Sequence, residues 1–243
     1  MSALPKPVDN EVLVFTSTPN EYRSVSYSVA QESFGKLACS VIDSGPGRIH
    51  ATYSVASRLA RFKGGQGKPR VIIGTGTSGS LSLSMKQGDV IVSNGAIISD
   101  WRMEEGDQVK VSPYGVFDYR ELNPSHLAKM VLECHDPLVV SLLERLPEGE
   151  FKKGHLLTSE AFVSGKDHKL GLGAAFNCLA CDMESGAYAY VGNCLAKVPW
   201  LNVRVVADTL EDTLGDYFEK ERNMTDILGQ KIVKVLRIID SLT

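Results

Sequence analysis

No apolar run in the 243 residues reaches the roughly 18 needed to cross a bilayer, so the sequence offers no membrane-spanning segment. It also lacks a basic block. The 26 lysines and arginines are outnumbered by 29 acidic residues for a net charge of −3, which excludes the basic stripes that bind nucleic acid or anionic lipid surfaces. The opening MSALPKPVDNE has no basic stretch followed by an apolar core and does not read as an export signal, so a cytoplasmic protein is expected. Cysteine is scarce and odd in number (Cys39, Cys134, Cys178, Cys181, Cys194), which argues against a disulfide framework and for reduced thiols. Cys178-x-x-Cys181 is the one suggestive pair, but redox or zinc chemistry needs a thioredoxin-like context or a second ligand pair, and neither accompanies it. The histidines (His50, His126, His135, His155, His168) are scattered without ligand spacing, so no metal site is expected.

What is present is an ordinary globular balance, 43% apolar and 23% charged, in a chain long enough to bury a sizeable core. Short β-branched runs at 11–17, 36–44, 70–76, 89–97, 154–159 and 200–207 alternate with stretches of helical spacing at 48–62, 125–133, 137–146, 184–196 and 224–242. In the last of these Ile227, Ile232, Val235, Leu236 and Ile239 share one side. The alternation predicts an α/β fold with a mostly parallel sheet covered by helices on both faces. No repeat, low-complexity run or linker interrupts it, so residues 1–243 are read as a single domain. The segment 99–125 has weak periodicity and reads as a long functional or interface excursion.

The stretch VIIGTGTSGSL (71–81) contains Gly74-x-Gly76-x-x-Gly79, the spacing of a dinucleotide-binding turn. Such a turn must open a helix whose N-terminus holds the pyrophosphate. Here the serine-rich SLSLSMKQG leaves only about nine residues before the next strand near Asp89, too few for a crossover helix. Asp100 stands roughly where a ribose-binding acid would, yet the helix is missing. The glycines are therefore expected to let the backbone approach something closely at a strand's carboxyl end, or to form a plain tight turn.

Other polar groups gather where strands end. FTSTPNEY delivers Glu21, SGPGR (44–48) makes a small glycine turn before a helix, CDMESG (181–186) presents Asp182 and Glu184, and VRVVAD runs through Arg204 to Asp208. Ligands of open α/β sheets bind outside the carboxyl ends of the strands, so Glu21, Thr77, Glu184, Arg204 and Asp208 form a candidate site. Each residue also has a bland reading: Glu184 beside a helix N-terminus, Asp208 capping a turn, Glu21 solvated in a loop, Arg204 paired structurally.

These same elements, STPNE, SGPG, TGTSG, TSEAFVSG (158–165), DMESGAYAY (182–190) and VRVVAD (203–208), resemble the nucleoside phosphorylase/nucleosidase superfamily from about residue 11 to the C-terminus. DMES followed some 20 residues later by a strand ending in Asp is the most specific part. The resemblance implies a nucleoside phosphorylase-like three-layer fold, with a central mixed, largely parallel twisted sheet flanked by helices. The sequence is most similar to the 5′-methylthioadenosine/S-adenosylhomocysteine nucleosidase branch, with futalosine hydrolases near it. Phosphorylases of the superfamily carry phosphate-binding arginines, one after the first strand and one before the central glycine segment; here these positions are Glu21 and Gly74. A carboxylate facing the nucleophile repels phosphate and can take a proton from water, which favours hydrolysis. A phosphorylase or a non-catalytic nucleoside-binding relative are the alternatives.

The resemblance further implies a purine nucleoside and water as the molecules bound, no cofactor, no metal, and a homodimer. Carried across residue by residue, it stacks Phe162 on the purine, with the Val163 backbone at its edge. Asp208 acts on N7, Met183 lies against the sugar, and Glu184 accepts from the ribose hydroxyls. Glu21 activates water with Thr77 and Arg204 nearby, Gly79 adjoins the substrate, and Phe218 lines the 5′ pocket. General acid and base contributions of this kind are each worth about 10²–10⁴-fold. The sequence also departs from the pattern. Ala207 replaces the usual serine before the aspartate, removing a hydroxyl that would orient it. Thr77-Ser78 stands for the familiar Ser-Ala, and 99–125, where a dimer partner's 5′ pocket contribution would fall, matches poorly. Lys166 and His168 replace the glutamine and arginine that uridine phosphorylases use for uracil, which disfavours uridine.

Overall fold

The computed structural model describes residues 10–62, 67–99, 102–105, 108–111 and 130–243, the two four-residue stretches by their backbone alone. The chain opens with β1 (Glu11–Thr16), α1 (Pro19–Ala30), β2 (Ala38–Asp43), α2 (Arg48–Ala60) and β3 (Val71–Ser80). It continues with β4 (Val90–Ser93), β5 (Gly95–Ile98), a hairpin of β6 (Arg102–Glu105) and β7 (Gln108–Val111), then β8 (Leu132–Glu133), α3 (Pro137–Arg145), β9 (Lys152–Lys153) and β10 (His155–Thr158). It ends with α4 (Lys166–Phe176), β11 (Cys178–Asp182), α5 (Ser185–Tyr190) running on as a π-helical stretch over Val191–Ala196, β12 (Trp200–Asp208) and α6 (Leu214–Ser241).

All these strands except β6 and β7 join one mixed sheet. Its pivot is β3. One edge of β3 pairs with parallel β12 along nearly its whole length. The other edge is divided: Val71–Gly74 pair with parallel β1, which carries β2 beyond it, whereas Gly79 and Ser80 pair with antiparallel β11. Between Gly74 and Gly79 that edge has no strand partner, and side chains from elsewhere reach its backbone there. The sheet branches at this point, the kind of topological switch where α/β proteins bind ligands. The main core joins β1, β3 and β12 to the apolar faces of α2, α3 and α6, with Trp200, Tyr188 and Phe15 among its fully buried large side chains.

Several expectations are corrected. The glycine segment is no turn: β3 runs unbroken to Ser80, and none of Gly74, Gly76 and Gly79 has positive φ. As anticipated, no helix follows it. The run read as one strand at 89–97 is two, because Ser93 accepts from the Gly95 N–H and donates to its carbonyl, breaking the ladder at Asn94 and sending β4 to β12 and β5 to β10. The helix expected at 125–133 ends in strand β8, its residues 125–129 lying outside the described residues. Most of the 99–125 excursion, Asp100 included, lies outside them too.

Two helices were not anticipated. α1 begins with Thr18 as N-cap, Pro19 in the first turn and Glu21 closing a capping box, so Glu21 is helical and buried rather than solvated. α4 was hidden by glycines in KDHKLGLGAAF. α6 starts at Leu214, well before 224, because Thr213 and Asp216 form a second capping box. Among the described residues no helix is long and apolar enough to cross a membrane.

Candidate active site

A cavity of about 460 Å³ opens at the carboxyl ends of β1, β3, β11 and β12. Glu21 enters it from the first turn of α1. Its Oε2 accepts the Ser17 and Thr18 N–H groups at 2.9 and 3.1 Å, and its Oε1 accepts the Thr77 N–H at 2.8 Å and hydroxyl at 3.0 Å. The capping box that starts the helix thus also carries this carboxylate to the unpaired edge of β3. Burial pushes Glu21 above the ordinary carboxylate range, against the opposing pull of Arg204 and its hydrogen bonds. The Tyr217 hydroxyl stands 2.9 Å from Thr77 Oγ1, extending the chain of polar contacts into the cavity.

Glu184 lies between β11 and α5. Its Oε1 accepts the Gly47 N–H at 2.8 Å, so the SGPGR turn meets it, and its Oε2 is 3.3 Å from Arg204 Nη1. Burial pushes it up to about 7, opposed by Arg204 and reinforced by Asp182. Asp182 is the anchor of this group: it accepts from Thr158 Oγ1 and the Ser185 N–H and hydroxyl, and pairs with Arg204 Nε at 2.7 Å. One guanidinium faces three neighbouring carboxylates (Asp182, Glu184 and Glu21), and its charge opposes the burial that raises Glu184 and Glu21.

Asp208 ends β12. The register of β12 against β3 shifts between Val206 and Asp208, a bulge at Ala207 that sets Asp208 opposite Gly79. A Cβ on Gly79 would lie 2.8 Å from Asp208 Oδ2, so the carboxylate occupies the space a side chain would need. At Gly76 a Cβ would meet the Arg204 guanidinium and Glu21 Oε1, the latter at 2.9 Å. At Gly74 it would collide with the Tyr188 ring and Asn202. The fingerprint glycines do permit close approach, but of the protein's own side chains. Asp208 is pushed upward by burial, with Lys169 pulling the other way.

Of the residues expected from sequence, Glu21, Thr77, Gly79, Phe162, Val163, Met183, Glu184, Asp208 and Phe218 all line this cavity. Arg204 does not. It is fully buried behind Glu184 and Asp182, so its expected place beside the bound molecules is corrected to a supporting one; a charge sunk in a strand finds its partners in the wall. Phe218, 65% exposed, stands at the rim. Tyr217 lies edge-on to both Phe162 and Phe218, ring centroids 5.8 and 5.4 Å apart.

Sequence reasoning missed Tyr217 and Glu221, although starting α6 at its capping box puts Leu214, Tyr217, Phe218 and Glu221 on one face. Glu221 accepts from Thr18 Oγ1 at 2.8 Å and Asn20 Nδ2 at 3.2 Å. It also missed Lys169, completely buried on α4 with Nζ 2.7 Å from Asp208 Oδ2. Among the described residues no lysine, arginine or histidine lines the cavity, whereas five carboxylates do. All five cysteines are free thiols, and burial pushes the one in the wall, Cys181, up to about 12.

The sequence model of the phosphorylase superfamily matches residues 3–239. A 5′-methylthioadenosine/S-adenosylhomocysteine nucleosidase from an Exiguobacterium species is 24% identical over 215 residues, 86% of this chain and 83% of that one. Among solved structures, the Helicobacter pylori enzyme of the same name, complexed with a substituted pyrrolidine ligand, superposes with a TM-score of 0.72 at 16% identity, covering 94% of this chain and 98% of that one. The futalosine hydrolase of H. pylori superposes with a TM-score of 0.70 at 17% identity, covering 93% and 97%. At these identities the superpositions establish a shared fold, the expected mixed, mostly parallel sheet flanked by helices.

Proposed function

The chain belongs to the phosphorylase superfamily, and on that premise we propose that it is a purine nucleosidase, hydrolysing the N-glycosidic bond of a 5′-modified adenosine such as 5′-methylthioadenosine or S-adenosylhomocysteine. The observation that carries hydrolysis over phosphorolysis is the charge of the cavity. Where a phosphate would need cations, Glu21 projects among four other carboxylates, and no described basic side chain reaches the wall. A dianion entering there would be repelled at close range, whereas water is not.

The parts then act as follows. The base rests against Phe162 and Val163, with its N7 edge toward Asp208, which gives N7 its proton. The electron pair of the glycosidic bond leaves with the base, and positive charge develops at the anomeric carbon. Glu184, fixed by Gly47 and Arg204, accepts from the ribose hydroxyls and stabilises that charge. Water attacks the anomeric carbon and loses its proton to Glu21. The Thr77 hydroxyl can turn from Glu21 toward Tyr217, freeing an Oε1 lone pair for that water. Raised carboxyls suit both tasks, since an acid or base works best when its affinity for the proton lies near working pH.

The acidic wall also ranks substrates by the charge of the 5′ arm. Neutral methylthioadenosine is favoured over zwitterionic adenosylhomocysteine, and both over futalosine, whose arm ends in a carboxylate. Futalosine stays as the second reading because a hydrolase of that substrate shares the fold. The test is base release from each nucleoside with and without phosphate. Adenine release from the first two, indifferent to phosphate, is expected; strict dependence on phosphate, or turnover of futalosine alone, would overturn the proposal.

A further inference from the structure

We propose that Lys169 is a positioning residue for Asp208, holding one carboxylate oxygen and providing the counter-charge that meets the carboxylate when its proton leaves for the purine. This rests on the nucleosidase reading for its catalytic consequence, but its geometry stands alone. Lys169 belongs to α4, an element distant in sequence from β12, and its side chain is completely buried. A lysine is almost never sunk to that depth without a paired partner. The Nζ donates to Asp208 Oδ2 at 2.7 Å and to the Thr209 carbonyl at 2.6 Å. Those two bonds fix the ammonium on the far side of Asp208, commit Oδ2, and leave Oδ1 as the oxygen free to meet a base.

The same contacts explain how Asp208 keeps its orientation although Ala207 supplies no hydroxyl. The carboxylate lies in the space left by the missing side chain of Gly79, and the ammonium holds its Oδ2 there. When the Asp208 O–H bond breaks and the N7–H bond forms, the negative charge left on the carboxylate appears directly beside a positive group already in place. Such preorganised charge needs no rearrangement during the reaction. Of the other ionisable groups around Asp208, Asp212 pushes it upward, against Lys169. Asp212 is itself paired with Lys220 at 2.7 Å, and the buried Cys181 thiol on β11 is neutral at ordinary pH.

The test compares the unmodified protein with Lys169→Met, which keeps length and apolar volume but removes the charge, and Lys169→Arg, which keeps the charge. Two readouts are taken. Carbon-13 NMR titration follows the Asp208 carboxyl whether or not any substrate is turned over. In Lys169→Met it is expected to titrate at least about one pH unit higher, because the ammonium that favours its ionised form is gone. Rates of base release should fall about 10²-fold in kcat, with KM within a few-fold and the alkaline limb of the pH profile moved upward. Lys169→Arg should restore part of the rate and the position of the limb. A merely structural lysine would lower the melting temperature while leaving the titration and the limb unmoved, and that result overturns the proposal. If Lys169→Met does not fold, Lys169→Gln carries the same two readouts. Absence of glycosidic cleavage by the unmodified protein, with the Asp208 titration still displaced in Lys169→Met, would sink the nucleosidase reading and leave the pairing standing.

Discussion

Gly79→Ala is a perturbation of a single methyl group that acts on Asp208 alone among the carboxylates. The new Cβ would lie 2.8 Å from Oδ2, 3.0 Å from Oδ1 and 3.2 Å from Cγ, where ordinary contact begins at 3.4 Å, so the carboxylate must retreat by 0.6 Å. It has little room to do so, because Lys169 Nζ holds Oδ2 at 2.7 Å and is itself anchored on the Thr209 carbonyl at 2.6 Å. Misplacing a reacting group by 1 Å can cost about 10²-fold, so a loss of about 10- to 100-fold in kcat is expected. Stability should change little. Alanine is favoured over glycine in a strand by about 0.5–1 kcal/mol, which offsets part of the strain. Initial rates of adenine release over a range of substrate concentration, beside a thermal unfolding curve, separate the two effects. A variant that folds normally and retains full kcat would show that the Asp208 position is immaterial to the rate, and the assignment of the proton donor would fall with it.

Asp208→Asn and Glu21→Gln should each lose at least about 10²-fold in kcat; a near-native rate in either removes that residue from its role. Glu21→Gln should also destabilise the protein by about 2 kcal/mol or more, since an amide NH₂ would face two of the N–H and O–H donors that the carboxylate now accepts, read by urea unfolding. Glu184 is raised from 4.5 to about 7 in the folded chain, so its contribution favours folding at low pH and is lost as pH rises between those values. That interval corresponds to about 3 kcal/mol, and Glu184→Gln should flatten the pH dependence of stability from about 4.5 to about 7. An unchanged slope would mean that Glu184 is ionised throughout.

Part of the cavity wall could be read from residue types near strand ends, because a parallel strand must deliver its last residues to the sheet's binding edge, whereas Gly79, Phe162, Val163, Met183 and Phe218 were legible only through the family resemblance. Asp208 and Glu184 follow from that rule, whereas Thr77 lies inside β3 and reaches the cavity because one edge of that strand is unpaired there. Glu21 was legible as chemistry but misplaced as structure: the capping signal Thr-Pro-x-Glu was in the sequence, yet a serine-rich stretch of low amphipathicity concealed the helix behind it. Arg204 was visible as a charge in a strand, but its partners are fixed by the parallel pairing of β12 with β3, which no local pattern encodes. Lys169 was the least accessible. Asp167 and His168 precede it and Leu170 and Gly171 follow, so nothing local marks it as buried, and its one charged partner ends strand β12, 39 residues away.

The bare backbone of β3 bears on how easily this chain could change its chemistry. An arginine at position 74, where phosphorylases of the superfamily carry a phosphate ligand, would have to displace the Tyr188 ring and the Asn202 amide that fill the space above Gly74. Tyr188 is fully buried and packs on Phe15 with ring centroids 5.7 Å apart, so its removal opens the core before any anion is gained. Exchange of water for phosphate therefore demands several coordinated replacements, the first of which are harmful alone. Directed evolution from this scaffold toward phosphorolysis should stall at single substitutions and proceed only through libraries that vary positions 74, 188 and 202 together with Glu21.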